Sequence, residues 1–219
     1  ATVTAVDERG IQLDRTVFYP TGGGQPGDSG CLRGPEGDIE IVNAIKGDGP
    51  DGVIHVPAEG VAAPAVGSTV TAELDWQRRH RLMRMHTCMH LLSAALAYPV
   101  TGGQVGDGKG RLDFDIPEAV LDKEEITAEL NRLIAGDHPI SSEWISDAEL
   151  AAQPELVKTM SVKPPTGAGQ VRLIRIADLD LQPCGGTHVA RTGEIGSVEV
   201  RKIQKKGRLN RRVSLVFAD

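Results

Sequence analysis

STVTAELDWQRRHRLMRMHTCMHLLSAALAY, residues 68–98, holds the change of period that decides the fold. Up to Leu74 the stretch alternates, with Val70 and Leu74 on one face of a strand. From Trp76 to about Tyr98 the apolar residues Leu82, Met85, Met89 and Leu92 recur every three or four positions, as a helix with one buried stripe requires. Pro99 stops it. The switch at Asp75 predicts a β domain over 1–75 and a second domain over 76–219.

Working back from the switch, residues 1–75 read as short strands broken by Gly and Pro. TVTAVDERGIQLDRTVFY predicts a hairpin turning at Glu8 to Gly10, followed by strands in IEIVNAIK, GVIHV and STVTAEL. A small β-barrel is the natural closure for such strands, because it leaves no long free edge. Between the hairpin and the next strand lies FYPTGGGQPGDSG, residues 18–30, too rich in Gly and Pro for regular structure.

Working forward, VTGGQVGDGKGRLDFDI reads as a Gly-rich connection running into a strand. Pro117 then opens a helix, with Glu118, Asp122, Glu124 and Glu125 in its early turns, that ends at Gly136. HPISSEWIS reads as a strand, DAELAAQPELV as a helix interrupted by Pro154, and VRLIRIADLD as a buried strand that delivers the chain to Cys184. GSVEVRKIQKKGRLNRRVSLVF reads as a hairpin turning near Lys206 and Gly207. The expected class is α+β: an N-terminal β-barrel followed by a two-layer α/β domain.

Three cysteines in 219 residues argue against a disulfide-stapled secreted domain, and the N-terminus lacks a signal-like apolar core. A soluble cytoplasmic protein is expected. The formal charge of −6 argues at first against nucleic acid. Between Arg201 and Arg212, however, there are seven Lys or Arg and no acid, so the rest of the chain carries −6 − 7 = −13. A concentrated basic hairpin in an acidic chain holds phosphates or, equally, protects a solvated sheet edge.

Two residue pairs carry the chemistry. His86 and His90 stand four apart in RMHTCMHLL, so on a helix they share a face. Cys184 and His188 stand four apart in PCGGTH, where Gly185 and Gly186 allow the chain to wrap tightly. Three imidazoles and a thiolate suit one Zn²⁺ per chain. Thr87 stands where a zinc protease of the H-E-x-x-H kind has its general base, which excludes that peptidase signature. A closed set of four ligands points to a structural ion, an open position to hydrolysis through a zinc-bound or zinc-aligned water, with no separate catalytic side chain assigned. Cys88 and Cys31 read as small core residues, and His55, His80 and His138 as surface or strand-end residues. Asp107, Lys109, Asp113 and Asp115 read as a solvated turn. The loop from Thr21 to Gly30 is a candidate ligand site, because three consecutive glycines followed by Gln25 let a ligand approach the backbone.

FYPTGGGQPGDSG, RMHTCMHLL, DLQPCGGTHVARTGEIG and the basic RKIQKKGRLNRR occur in this order and cover almost the whole chain. The set resembles the AlaX alanyl-tRNA editing proteins, relatives of the editing domain of alanyl-tRNA synthetase, and within them the medium-length members. The resemblance implies a zinc-dependent aminoacyl-tRNA deacylase that removes wrongly attached serine, or glycine, from tRNA(Ala), without a nucleotide cofactor or a membrane. It carries the zinc ligands onto His86, His90, Cys184 and His188, and substrate contact onto Gly22, Gly23, Gly24 and Gln25. With Thr21, Gln25 is the candidate for the serine hydroxyl. Arg201, Lys202, Lys205, Lys206, Arg208, Arg211 and Arg212, with the arginines of the helix start, are expected to hold tRNA phosphates. Two other readings keep the zinc: a tRNA-binding module without catalysis, and a metallohydrolase acting on another small ester. Completeness of the two domains and the lack of a nucleotide-binding motif favour a free-standing protein over an excised part of a synthetase.

Overall fold

The computed structural model describes residues 1–49, 52–116, 120–160 and 169–218. It is mixed α/β and rich in strands, and it divides into two compact units, Ala1–His80 and Arg81–Asp219.

The first unit contains β1 (Val3–Asp7), β2 (Gly10–Leu13), β3 (Gly30–Gly34), β4 (Gly37–Lys46), β5 (Val53–Pro57) and β6 (Thr71–Leu74) in one sheet of order β1-β2-β5-β4-β3-β6. Neighbours pair antiparallel throughout. Thr2 bridges Thr69, and the Val70 N–H donates to the Ala1 carbonyl, so the chain entering β6 returns to the β1 edge. The sheet is curled into a half-barrel around Val3, Ile11, Phe18, Leu32, Ile39, Ile41, Ala44 and Val70. Strand β3 was hidden in the sequence, because CLRG is short and follows directly on the Gly-rich loop. Two expectations fail here. His55 is fully buried on β5, with Nε2 2.7 Å from the Thr16 hydroxyl and Nδ1 3.0 Å from the Ile11 carbonyl. Burial pushes its imidazole below the ordinary value. Cys31 is only partly buried.

Helix α1 (Trp76–Leu96) begins in the first unit and continues into the second. Asp75 accepts the Arg78 N–H at 3.0 Å, and Ala97 at φ 52° ends the helix two residues before Pro99. The basic start is spent within the fold. Arg79 pairs with the buried Asp28, and Arg78 donates to the Gly27 carbonyl.

The second unit continues with β7 (Val100–Gly106), β8 (Lys109–Asp115), α2 (Lys123–Ala135), β9 (Ile140–Ser146), α3 (Asp147–Ala151), β10 (Gln170–Ile176), β11 (Asp180–Pro183), β12 (Val198–Lys205) and β13 (Asn210–Phe217). Its strands form a sheet of order β12-β13-β8-β7 and another of order β11-β10-β9. The supposed Gly-rich connection is therefore strand β7. A Cβ on Gly110 of β8 would lie 2.8 Å from the sulfurs of both Met85 and Met89. A Cβ on Gly103 of β7 would lie 3.4 Å from Met89 Cε, so these two glycines let α1 press onto the sheet rather than marking a loop. Asp122 caps α2, accepting the Glu125 N–H at 2.8 Å, so the helix starts later than expected; Pro117 and Glu118 lie outside the described residues. Asn131 and Thr127 of α2 bond the backbone of Val198 and Val200, covering the β12 edge. A single aliphatic core joins α1 and α2 to this sheet through Leu82, Met85, Leu92, Leu112, Leu130 and Leu215. Among the described residues no helix is long and apolar enough to cross a membrane.

In the loop before β3, a Cβ on Gly27 would lie 2.0 Å from the Ala44 carbonyl oxygen, backbone that has nowhere to go. Gly27→Ala is expected to destabilise the protein by about 1–3 kcal/mol. Gly185→Ala, whose Cβ meets nothing within 4 Å, should stay within about 0.5 kcal/mol of the parent. Denaturant unfolding compares them; equal midpoints for the two variants would contradict this account of the loop.

Candidate metal centre

Four side chains from two distant stretches converge. The ligand atoms of His86, His90, Cys184 and His188 lie within 4.8 Å of one another. Cys184 Sγ stands 3.5 Å from His86 Nε2 and 3.3 Å from His188 Nε2, and the His86 and His188 rings are 4.3 Å apart. Helix α1 supplies the first pair from its buried middle, where Met85 and Met89 on the neighbouring face anchor it to the sheet. The β10–β11 hairpin delivers the second pair. The Gly186 N–H donates to Cys184 Sγ, and Arg172 of β10 donates to the Gly186 carbonyl at 2.7 Å, clamping the turn.

Each half-site has a buried polar support. Asp180, at the start of β11, accepts from His90 Nδ1 at 3.1 Å and from Gln182 Nε2 at 2.7 Å, and its other oxygen pairs with Lys158. That contact fixes the His90 tautomer, with Nε2 turned to the cluster. Thr87 Oγ1 lies 3.1 Å from His188 Nδ1 and accepts the Val189 N–H at 3.3 Å. With Nε2 of His188 facing the thiol, Nδ1–H donates to Thr87. The residue that replaces a protease's Glu thus positions a ligand.

Burial pushes the Cys184 thiol up, yet the charge of His86 and hydrogen bonds from His188, His86 and His90 hold it well below its ordinary value. Burial lowers the His90 imidazole, but Asp180 and Cys184 more than offset this and raise it to about 9. His188 is pushed down to about 3 by burial and by the charges of His86 and His90. A thiolate with oriented imidazoles is the donor set zinc takes, so these residues fit that ion. Cys88 points away from the cluster into the core, where burial pushes its thiol up to about 12.

Thr21, Gly22, Gly23, Gly24 and Gln25 belong to the first unit. Gly22 and Gln25 bond each other's backbone, and the Thr21 hydroxyl accepts the Gly27 N–H at 2.9 Å while donating to the Ala44 carbonyl. Gln25 is 1% exposed, whereas nothing stands within 4 Å of the Cβ position of Gly23. In the basic hairpin, Arg212 donates two hydrogen bonds to the Asp113 carboxylate, and Arg211 donates to the carbonyls of Gly207, Arg208 and Asn210. Arg201, Lys202, Lys205, Lys206 and Arg208 are exposed. Of the helix arginines, Arg81 pairs with Asp107, and Arg84 donates to Ile195 O and lies over the Phe217 ring. Asp107 and Asp113 are therefore ion-paired rather than simply solvated. Sequence reasoning missed Asp180, Gln182, Arg172 and the role of Thr87. Alternation through DLQPC would have put Asp180, Gln182 and Cys184 on one face.

Comparison with known proteins places the chain in a family. Residues 171–214 match the threonyl and alanyl tRNA synthetase second additional domain, and residues 1–78 match the class II (A) tRNA synthetases. The chain is 33% identical to the alanyl-tRNA editing protein AlaX-M of Methanosarcina acetivorans, over 97% of this chain and 91% of that protein. It is 35% identical to the AlaX-M of Methanosarcina barkeri, over 100% of this chain and 93% of that protein. Identity to the AlaX-L of Pyrococcus horikoshii is 33%, over 90% of this chain and 48% of that protein. The chain belongs to the alanyl-tRNA editing protein family, in its AlaX-M group.

Because Asp180 and Cys184 raise the His90 imidazole to about 9 while the histidines lower the Cys184 thiol, filling the site below pH 9 requires the cluster to lose a proton. Apparent zinc affinity should rise about tenfold per pH unit from pH 7 to 9 and then level, as read by competition with a chromophoric chelator. A flat profile contradicts the assigned protonation. Asp180→Asn and Thr87→Val should each weaken zinc binding by about 10- to 100-fold, with the fold retained.

Proposed function

We propose that the chain is a zinc-dependent trans-editing hydrolase that deacylates Ser-tRNA(Ala), and Gly-tRNA(Ala) beside it, in the cytoplasm. The observation that carries this reading is the convergence of His86, His90, Cys184 and His188 in a chain whose relatives are named alanyl-tRNA editing proteins. Zinc in this site would supply positive charge that acidifies a water or polarises the ester carbonyl. The protein's part is to hold the imidazoles and thiolate in place: Asp180 orients His90, Thr87 orients His188, and Arg172 fixes the turn bearing Cys184.

Editing answers a limit on recognition. A site built for alanine rejects serine weakly, since one hydroxyl adds little bulk, so a second hydrolytic site supplies the discrimination. A site that hydrogen-bonds the serine hydroxyl leaves polar groups unpaired when alanine enters. We assign that contact to Thr21 and Gln25, with Gly22, Gly23 and Gly24 beside them near the substrate. The open approach to Gly23 supports it. For tRNA phosphates the exposed Arg201, Lys202, Lys205, Lys206 and Arg208 are the principal candidates, with Arg211 and Arg212 shaping the hairpin.

The closure of four protein donors favours one second reading, a zinc-stabilised tRNA-binding module. Parallel deacylation of Ser-, Gly- and Ala-tRNA(Ala) by the parent and by His90→Ala separates the two. The hydrolase reading expects the parent to release serine fastest, glycine more slowly because it lacks the bonded hydroxyl, and alanine least because it also carries a methyl, and release to fall at least about 100-fold in a folded variant that still binds tRNA. Parent protein with zinc that releases serine no faster than buffer would sink it. Neutralising Lys205, Lys206 and Arg208 should collapse tRNA deacylation while sparing hydrolysis of a small ester; equal loss on both contradicts the phosphate assignment.

A further inference from the structure

One face of the β11-β10-β9 sheet runs from the buried support of the metal centre to an exposed aromatic ring. On it, Asp180 stands opposite Ile176 and Ile176 opposite Ile140, then Gln182 opposite Ile174 and Ile174 opposite Ser142. The next row is Cys184, Arg172 and Trp144: the Cys184 N–H donates to the Arg172 carbonyl at 3.1 Å, and Arg172 pairs with Trp144 across β9. The Asp180 end of the face is closed by burial, while at the other end Trp144 is 60% exposed. Two strand spacings separate the Trp144 and Cys184 backbones, about 10 Å.

Arg172 gives this ring an unusual neighbour. Its guanidinium donates to the carbonyls of Gly186 and Cys184, and among the described residues no carboxylate pairs with it. Glu143, the acid next to Trp144 in sequence, points to the opposite face and pairs with Arg175. A flat apolar ring beside an uncompensated cation, one nucleoside's span from a metal centre, matches an unpaired base with its phosphate. It suits another hydrophobic protein surface less well, because the arginine would have to be buried without a counter-charge.

We propose that Trp144, with Arg172 beside it, is a stacking platform for an unpaired nucleobase at the 3′ end of the RNA whose ester is held at the metal centre. This rests on the deacylase reading. Trp144 is a positioning residue, fixing where the acylated end lies without touching the reacting atoms.

Two measurements test it. Trp144→Ala should raise KM for Ser-tRNA(Ala) about 5- to 150-fold with kcat within about twofold, and Trp144→Phe should restore most of the loss. The chain has two tryptophans, so in Trp76→Phe protein the fluorescence of Trp144 alone is read. An unacylated CCA trinucleotide should quench it, and Arg172→Gln should weaken that quench. Unchanged KM in Trp144→Ala together with no quench overturns the proposal. So does a concentration-dependent self-association, seen by sedimentation, that Trp144→Ala abolishes, since a second copy would then be the occupant. Quenching by the trinucleotide in a protein that does not deacylate Ser-tRNA(Ala) would uphold the platform and refute the deacylase reading alone.

Discussion

A thiolate partly buried among three imidazoles is the constraint around which the second unit is organised. Gathering these groups out of water is costly unless each is paired, and the fold meets the cost on both sides of the cluster. Asp180, itself buried, engages His90, Lys158 and Gln182. Burial works against its carboxylate, yet those bonds hold it below its ordinary value. Thr87 ties α1 to the His188 segment through both His188 and Val189. Removing any one support leaves a buried polar group facing an unpaired partner, so the orientation of the ligands loosens even where the fold is kept.

The packing that brings α1 to this point explains a feature that composition alone disguises. Aromatic residues are 3% of the chain, so close contact is made by small residues opposite flexible ones. Met85 and Met89 lie against Gly110, and with that face of α1 held on the sheet the adjoining face carries His86 and His90. Glycine in β7 and β8 therefore serves the site from a distance. Charge is arranged with similar economy. Arginines that look available for nucleic acid in the sequence, at 79, 81 and 212, are ion-paired to Asp28, Asp107 and Asp113, and the tip of the β12–β13 hairpin carries the exposed Lys205, Lys206 and Arg208.

The helix and the four members of the His/Cys cluster were legible because each is a local pattern: a stripe of period 3.6, and two pairs spaced by four. The long hairpins were legible from alternation. What the sequence concealed depends on contacts between distant residues. Strand β7 reads as a loop until Met85 and Met89 are placed against the sheet, and His55 reads as a strand-end residue until Thr16 and Ile11 are seen to satisfy its ring. Asp180 and Arg172 are unremarkable in isolation, and only the β10–β11 register sets them beside the ligands. Gly185 misled in the other direction, since its backbone is one that other residues adopt.

The claim beneath the whole account is that three imidazoles and one thiolate of this chain share a single zinc ion. X-ray absorption at the zinc edge, on protein carrying one equivalent of zinc, tests it most directly. The account predicts one sulfur at about 2.3 Å and three nitrogens at about 2.0–2.1 Å, with the sulfur shell lost in Cys184→Ser. A spectrum without sulfur, or one unchanged by Cys184→Ser, would contradict it.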